Sequence, residues 1–213
     1  MTRAITENFG RAPVTFKAGR YGVGSGTAES IARLGYRIDA STVPYTSFRS
    51  DGGPDFSAHT EQPYWFQADG RQLLELPVTT AFCGSLRKRG SSLYPALQSK
   101  FARSMRLGGI ASRTGLLERI RLTPEGCDAA ALIRLLRTLR HDGCQVFSLT
   151  YHSPSLEPGH TPYVHDSADL EAFFDTVEEV CRYFADELSG SFMSLSALHE
   201  KLLGSPAAQD TAI

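Results

Sequence analysis

Val14-Thr-Phe-Lys-Ala-Gly-Arg-Tyr-Gly-Val-Gly-Ser-Gly26, followed by Thr27 to Leu34 and then Gly35-Tyr-Arg-Ile-Asp39, is the stretch that decides the fold. Val14 to Ala18 reads as a short strand and Gly19 to Gly26 as a glycine-rich turn. Thr27 to Leu34 reads as a helix stopped by Gly35, and Tyr36 to Asp39 as a second strand. Strand, turn, helix, strand is the parallel crossover unit, which winds right-handed in nearly every instance. Before it, Thr2 to Phe9 predicts a helix ended by Gly10 and Pro13.

Downstream the alternation continues. Residues 47–63 are rich in Gly, Pro, Ser and Asp and predict a long surface loop. Tyr64–Gln67 and Leu73–Thr80 predict strands joined across Asp69-Gly70. A helix is expected from Pro95 to Met105, a strand at Ile120–Leu122, and a helix from Asp128 to Arg140 with Leu132, Leu135, Leu136 and Leu139 at helical spacing. Cys144 to His152 reads as the next strand. Asp166 opens a long helix over Ser167–Leu188, whose apolar stripe must cover a sheet or barrel wall. A strand at Ser191–Met193 and a helix at Leu195–Leu203 complete a domain over residues 1–204, with 205–213 expected to be a disordered tail. Strands alternating with helices point to an α/β fold.

Composition narrows the class. The 213 residues are 41% hydrophobic with a net charge of −1, enough for a sizeable core and no global pull toward nucleic acid or membrane. The basic run from Arg87 to Arg113 reads as a solvated helix face in preference to a nucleic-acid interface. Cys83, Cys127, Cys144 and Cys181 are widely spaced and predict reduced thiols, hence a cytoplasmic setting. Neither a signal peptide nor a membrane-spanning run is evident.

Two motifs carry chemistry. Phe147-Ser-Leu-Thr-Tyr-His152 delivers a histidine to the C-terminal end of an expected strand, where α/β folds place their ligand crevice. Histidine titrates nearest neutral pH, so His152 is a candidate proton-transfer residue, with a satisfied loop-edge histidine as the plain alternative. Gly22-x-Gly24-x-Gly26 with Asp39 mimics a dinucleotide fingerprint. Its third glycine is one place early and its acid too close, so structural glycines are the favoured reading and no dinucleotide affinity is expected.

Phe16-Lys-Ala-Gly-Arg-Tyr-Gly22 with Leu34-Gly-Tyr-Arg-Ile-Asp-Ala-Ser41 resembles the third and fourth motifs of the polysaccharide deacetylases, the NodB-homology group, in its WalW-type branch. Phe147 to His152, continuing to Tyr163, resembles their fifth motif, and Leu74-Glu-Leu-Pro-Val78 the strand that often follows the fourth. The resemblance runs from about Ile5 to Leu198. It implies a distorted (β/α) barrel that removes N-acetyl groups from a carbohydrate polymer, using zinc or another divalent metal to polarise the amide and activate water. By resemblance His152 is the general acid and Asp39 the acid that orients it, within hydrogen-bond reach. Lys17 stands where the family has arginine, and Arg20 and Tyr21 line the substrate cleft. The family's catalytic base and metal-binding histidine pair have no counterpart here: the chain contains no Asp-Asp pair and no H-x-x-x-H. His160 and His165, five apart in a Pro/Gly loop, are expected not to be ligands. The resemblance therefore implies a barrel lacking its first strands, no metal bound by this chain, no turnover when isolated, and possible dependence on a partner supplying the missing half. A non-catalytic carbohydrate-binding fragment is the alternative.

Overall fold

The computed structural model describes residues 1–204; the expected tail at 205–213 lies outside the described residues. The chain is mixed α/β, with eight α-helices and two small sheets among the described residues. It divides into two compact units, Met1–Val78 joined by the segment from Phe192 on, and Thr79–Ser191. No described helix is long and apolar enough to cross a membrane.

The first unit is built on the expected crossover. Strand β1 (Thr15–Phe16), helix α2 (Thr27–Arg33) and strand β2 (Ile38–Asp39) follow α1 (Thr2–Phe9), and β1 pairs with β2 in parallel. Strands β3 (Tyr64–Ala68) and β4 (Arg71–Glu75) form an antiparallel hairpin across Asp69-Gly70, whose φ values of 51° and 70° are those of a type I′ turn. Strand β4 then lies parallel to β2, giving the order β1-β2-β4-β3. Ile31, Ala32, Tyr36, Ala68 and Leu73 form one core cluster, with Phe16 and Phe66 against it. Helix α8 (Leu195–Leu203) brings the buried His199 ring edge-on to Trp65 at 5.3 Å.

The second unit holds β5 (Thr80–Cys83) antiparallel to β6 (Glu118–Arg121). Between them run α3 (Gly90–Leu97), α4 (Lys100–Ser104) and α5 (Leu107–Arg113). Helices α6 (Ala129–His141) and α7 (Ser167–Asp186) start on aspartate caps: Asp128 and Asp166 accept N–H bonds from Ala131 and Asp169 at 2.8 and 2.9 Å. Their apolar faces share a core with Ile120, Leu122, Cys144 and Phe147.

Four local expectations are corrected. The strand Leu73–Thr80 breaks around Pro77, which has no N–H for a ladder; Val78 N–H bonds Thr42 O instead, and pairing resumes at Thr80 with a different partner. The single helix at Pro95–Met105 is divided between the end of α3 and α4, and Arg106 in the left-handed region (φ 53°) then separates α4 from α5. Cys144–His152 is extended but forms no ladder: Ser148 N–H goes to the Thr79 side chain at 2.7 Å, and Thr150 N–H to Leu122 O at 3.1 Å. Ser191–Met193 is not a strand; the chain there is leaving α7 through Gly190, whose missing side chain admits the Phe184 ring.

Candidate functional site

In the first unit, two carboxylates meet where parallel strands end. Asp39 closes β2, Glu75 closes β4, and the two are register partners on adjacent strands, so their side chains leave the same face. Both are buried. Asp39 Oδ1 accepts the Ser41 hydroxyl at 2.5 Å, and Ser41 Oγ in turn accepts Ala18 N–H at 2.8 Å. Glu75 Oε1 accepts Thr42 N–H at 2.9 Å. Burial, and then the charge of Asp39, push the Glu75 carboxyl up to about 8. Burial also raises Asp39, against the bonds from Ser41 and the charge of Lys17. At neutral pH the pair holds a proton on Glu75, as two close carboxylates in a dry site must. Tyr64, the β3 partner of Glu75, is pushed up to about 12 by burial and by Glu75's charge, so it stays a hydroxyl.

The structure gathers Lys17 and Tyr21 beside this pair. Lys17 Nζ donates to Ala40 O at 2.9 Å and lies 5.1 Å from the centre of the Tyr21 ring. Tyr21 stacks on Phe48 at 5.7 Å. Arg20 is exposed, and Arg20 and Tyr21 both take positive φ (52° and 58°), an unfavourable conformation for side-chain-bearing residues. Such strain is held in place by surrounding structure and collects at functional loops.

In the second unit His152 has a carboxylate partner that sequence reasoning did not supply. Its Nδ1 lies 2.7 Å from Glu125 Oε2. Glu125 Oε1 accepts the His152 N–H at 2.9 Å and the Ser155 hydroxyl at 2.5 Å. The Glu125 side chain is 6% exposed and the His152 side chain 63%. Burial alone would raise the Glu125 carboxyl, but the bonds from Ser155 and His152 outweigh it and hold it below the usual range. An ionised Glu125 fixes the proton on Nδ1 and leaves Nε2 on the exposed side of the ring, where it can exchange a proton with a ligand. Asp39 belongs to the first unit and His152 to the second, and each is held by partners within its own unit.

Cofactor geometry is sparse. The Gly22–Gly26 segment is not a tight strand-to-helix turn: Phe16 ends β1 and α2 starts at Thr27, with a 3-10 turn at Gly19–Tyr21 between. His160 lies 3.6 Å from Glu157 in its own loop, and the His165 N–H donates to Asp169. No group of three or more His, Cys, Asp or Glu able to hold a metal ion occurs among the described residues. The residues present thus do not fit the zinc site of the resemblance.

Glu75 and Glu125 carried faint signals. Glu75 is the lone charge in Leu73-Leu-Glu-Leu76, and Glu125 sits between Pro124 and Gly126 just past β6. The chain matches no family model, no curated protein and no solved structure.

Proposed function

We propose that this chain is a polysaccharide-deacetylase-like hydrolase in which His152 gives the proton to the amine leaving an N-acetylated sugar. The observation that carries the reading is the Glu125–His152 pair, an exposed imidazole held in one tautomer by a buried carboxylate. Amide hydrolysis joins a water oxygen to the acetyl carbon and breaks the C–N bond, giving acetate, and the amine leaves only once protonated. His152 Nε2 supplies that proton, while Glu125 orients the ring through Nδ1. Lys17, Arg20 and Tyr21 are the sugar-contacting residues of the first unit taken by itself, supported by the strained turn that displays Arg20 and Tyr21. Asp39 keeps the strand-end position of the family's acid. The distorted (β/α) barrel is the architecture that goes with this reading, supported by the parallel β1–α2–β2 crossover.

The family's base and metal-binding residues have no counterpart in these 213 residues. No step is therefore derived through a metal, and the isolated chain binds acetylated sugar without turning it over. A partner then supplies the missing half.

Titration with acetylated chito-oligosaccharide, followed through the His152 ring signals by NMR, tests the reading. Saturable shifts in those signals, weakened by Glu125→Ala, are expected. No shift at saturating sugar overturns the carbohydrate reading. Zinc-dependent acetate release abolished by His152→Ala would keep the hydrolase and overturn the need for a partner.

A further inference from the structure

Strands β5 and β6 form an antiparallel hairpin, yet residues 84–117 between them make a helical excursion, not a turn. Its base is closed by Ser85 N–H to Gly115 O at 3.0 Å and Leu86 N–H to Leu116 O at 2.9 Å. Gly84, at φ +107°, lets the two ends touch: a Cβ there would sit 2.6 Å from Leu116 O. One side of the excursion is anchored. Tyr94 packs on Phe82 at 5.3 Å, the Arg119 guanidinium lies 4.9 Å from the centre of the Tyr94 ring, and Ala102 is buried.

Other apolar side chains of the excursion are open to solvent. Phe101, Met105 and Ile110 are 73%, 55% and 52% exposed. Met105 N–H bonds Phe101 O at 3.0 Å, so these two side chains stand one turn apart on one face.

Charge is sorted to the same segment of the chain. From Leu76 to Leu117 the sequence has no aspartate, glutamate or histidine, but seven lysines and arginines, a concentration that the net charge of −1 conceals. Arg87 is held by Asp142 through two bonds of 2.9 Å. Among the described residues Lys88, Arg89, Lys100, Arg106 and Arg113 have no acidic partner.

A solvated face accounts for the cations but not for apolar side chains exposed among them. Nucleic acid would take the cations, but single strands gain from rows of aromatic rings, and Phe101 is the one largely exposed ring in the excursion. Basic residues around exposed Phe, Met and Ile are the composition of a surface that lies at a lipid headgroup layer. We propose that residues 84–117 dock on an anionic membrane surface, with Phe101, Met105 and Ile110 entering the headgroup boundary and the cations meeting lipid phosphates.

Sedimentation of the full chain with vesicles tests this, using phosphatidylcholine alone and an equal mixture with phosphatidylglycerol. Binding to the mixed vesicles about tenfold or more above that to phosphatidylcholine is expected, weakening with salt. Lys100→Glu with Arg106→Glu and Arg113→Glu should remove it. Phe101→Ser with Met105→Ser should weaken it about tenfold while keeping the salt dependence. Circular dichroism checks that each variant is folded, with Lys88→Glu/Arg89→Glu as the substitute charge variant. Equal or no binding to the two vesicles overturns the proposal, as does indifference to the Phe101/Met105 change. Preference for a DNA oligonucleotide over vesicles, or self-association through this face, also overturns it.

Discussion

Glu75 keeps a proton in the folded chain that the unfolded chain gives up above its ordinary value of 4.5. The folded state therefore binds that proton more tightly, and its contribution to stability is complete below about 4.5 and lost as pH rises toward about 8. Glu75→Gln keeps an acceptor for Thr42 N–H and needs no proton. It is expected to flatten the decline in stability between pH 5 and 8 in denaturant titrations, with the gain over the wild type largest at the alkaline end. Unchanged slopes would show that the pair does not hold the proton. Glu125 has the opposite sign: its carboxyl is held low, so its contribution is present above the ordinary value and lost as pH falls through the lowered one. Glu125→Ala leaves the Ser155 hydroxyl and two His152 donors without their acceptor, and a loss of about 2 kcal/mol is expected at pH 7. Imidazole nitrogen shifts should change with it, because the Nδ1–H tautomer loses its anchor; the wild-type tautomer pattern in Glu125→Ala would contradict the role given to Glu125. His152 was legible in the sequence because it ends an apolar run before a Pro-containing loop. Its partner was not, because Glu125 lies 27 residues away and only tertiary folding brings it near.

At the scale of elements, periodicity and caps were good guides and ladders were not. Asp128 and Asp166 announce α6 and α7, and the Asp69-Gly70 pair announces the β3–β4 hairpin, because those signals are local. The segment at 144–152 has strand composition yet no continuous ladder: Ser148 O takes Thr79 N–H and Thr150 N–H goes to Leu122 O, but Ser148 N–H turns to the Thr79 hydroxyl instead of a carbonyl. Gly90 tests how the excursion is seated. A Cβ there would lie 2.2 Å from the root of the Phe82 ring, an atom that cannot swing aside. Alanine raises helix propensity by up to about 1 kcal/mol, but overpacking costs about 1–3 kcal/mol. Gly90→Ala is therefore expected to destabilise on balance and to increase protease cleavage within residues 84–117. Equal or greater thermal stability would show that the helix can shift without loss.

At the scale of the whole molecule, each unit carries its own core. Leu135 lies at the centre of the second unit's cluster and Leu73 in that of the first. Truncating either to alanine should cost about 2–5 kcal/mol. Hydrogen exchange should report the larger loss of protection within Thr79–Ser191 for Leu135→Ala and within Met1–Val78 for Leu73→Ala; a uniform loss in both would show one cooperative body. The α/β class was readable from the sequence, because crossover and helix patterns are repeated signals. The division at Val78 was not, since no glycine- or serine-rich linker marks where the second unit is spliced into the first. That splice has a consequence for synthesis on the ribosome. The first unit has its sheet early, but α8, which covers Trp65 with His199, follows only after the whole second unit. At about 5–20 residues per second the nascent chain spends on the order of ten seconds with that face uncovered. Chaperone capture of nascent chains is expected to peak in this interval and to fall once Leu195–Leu203 has emerged.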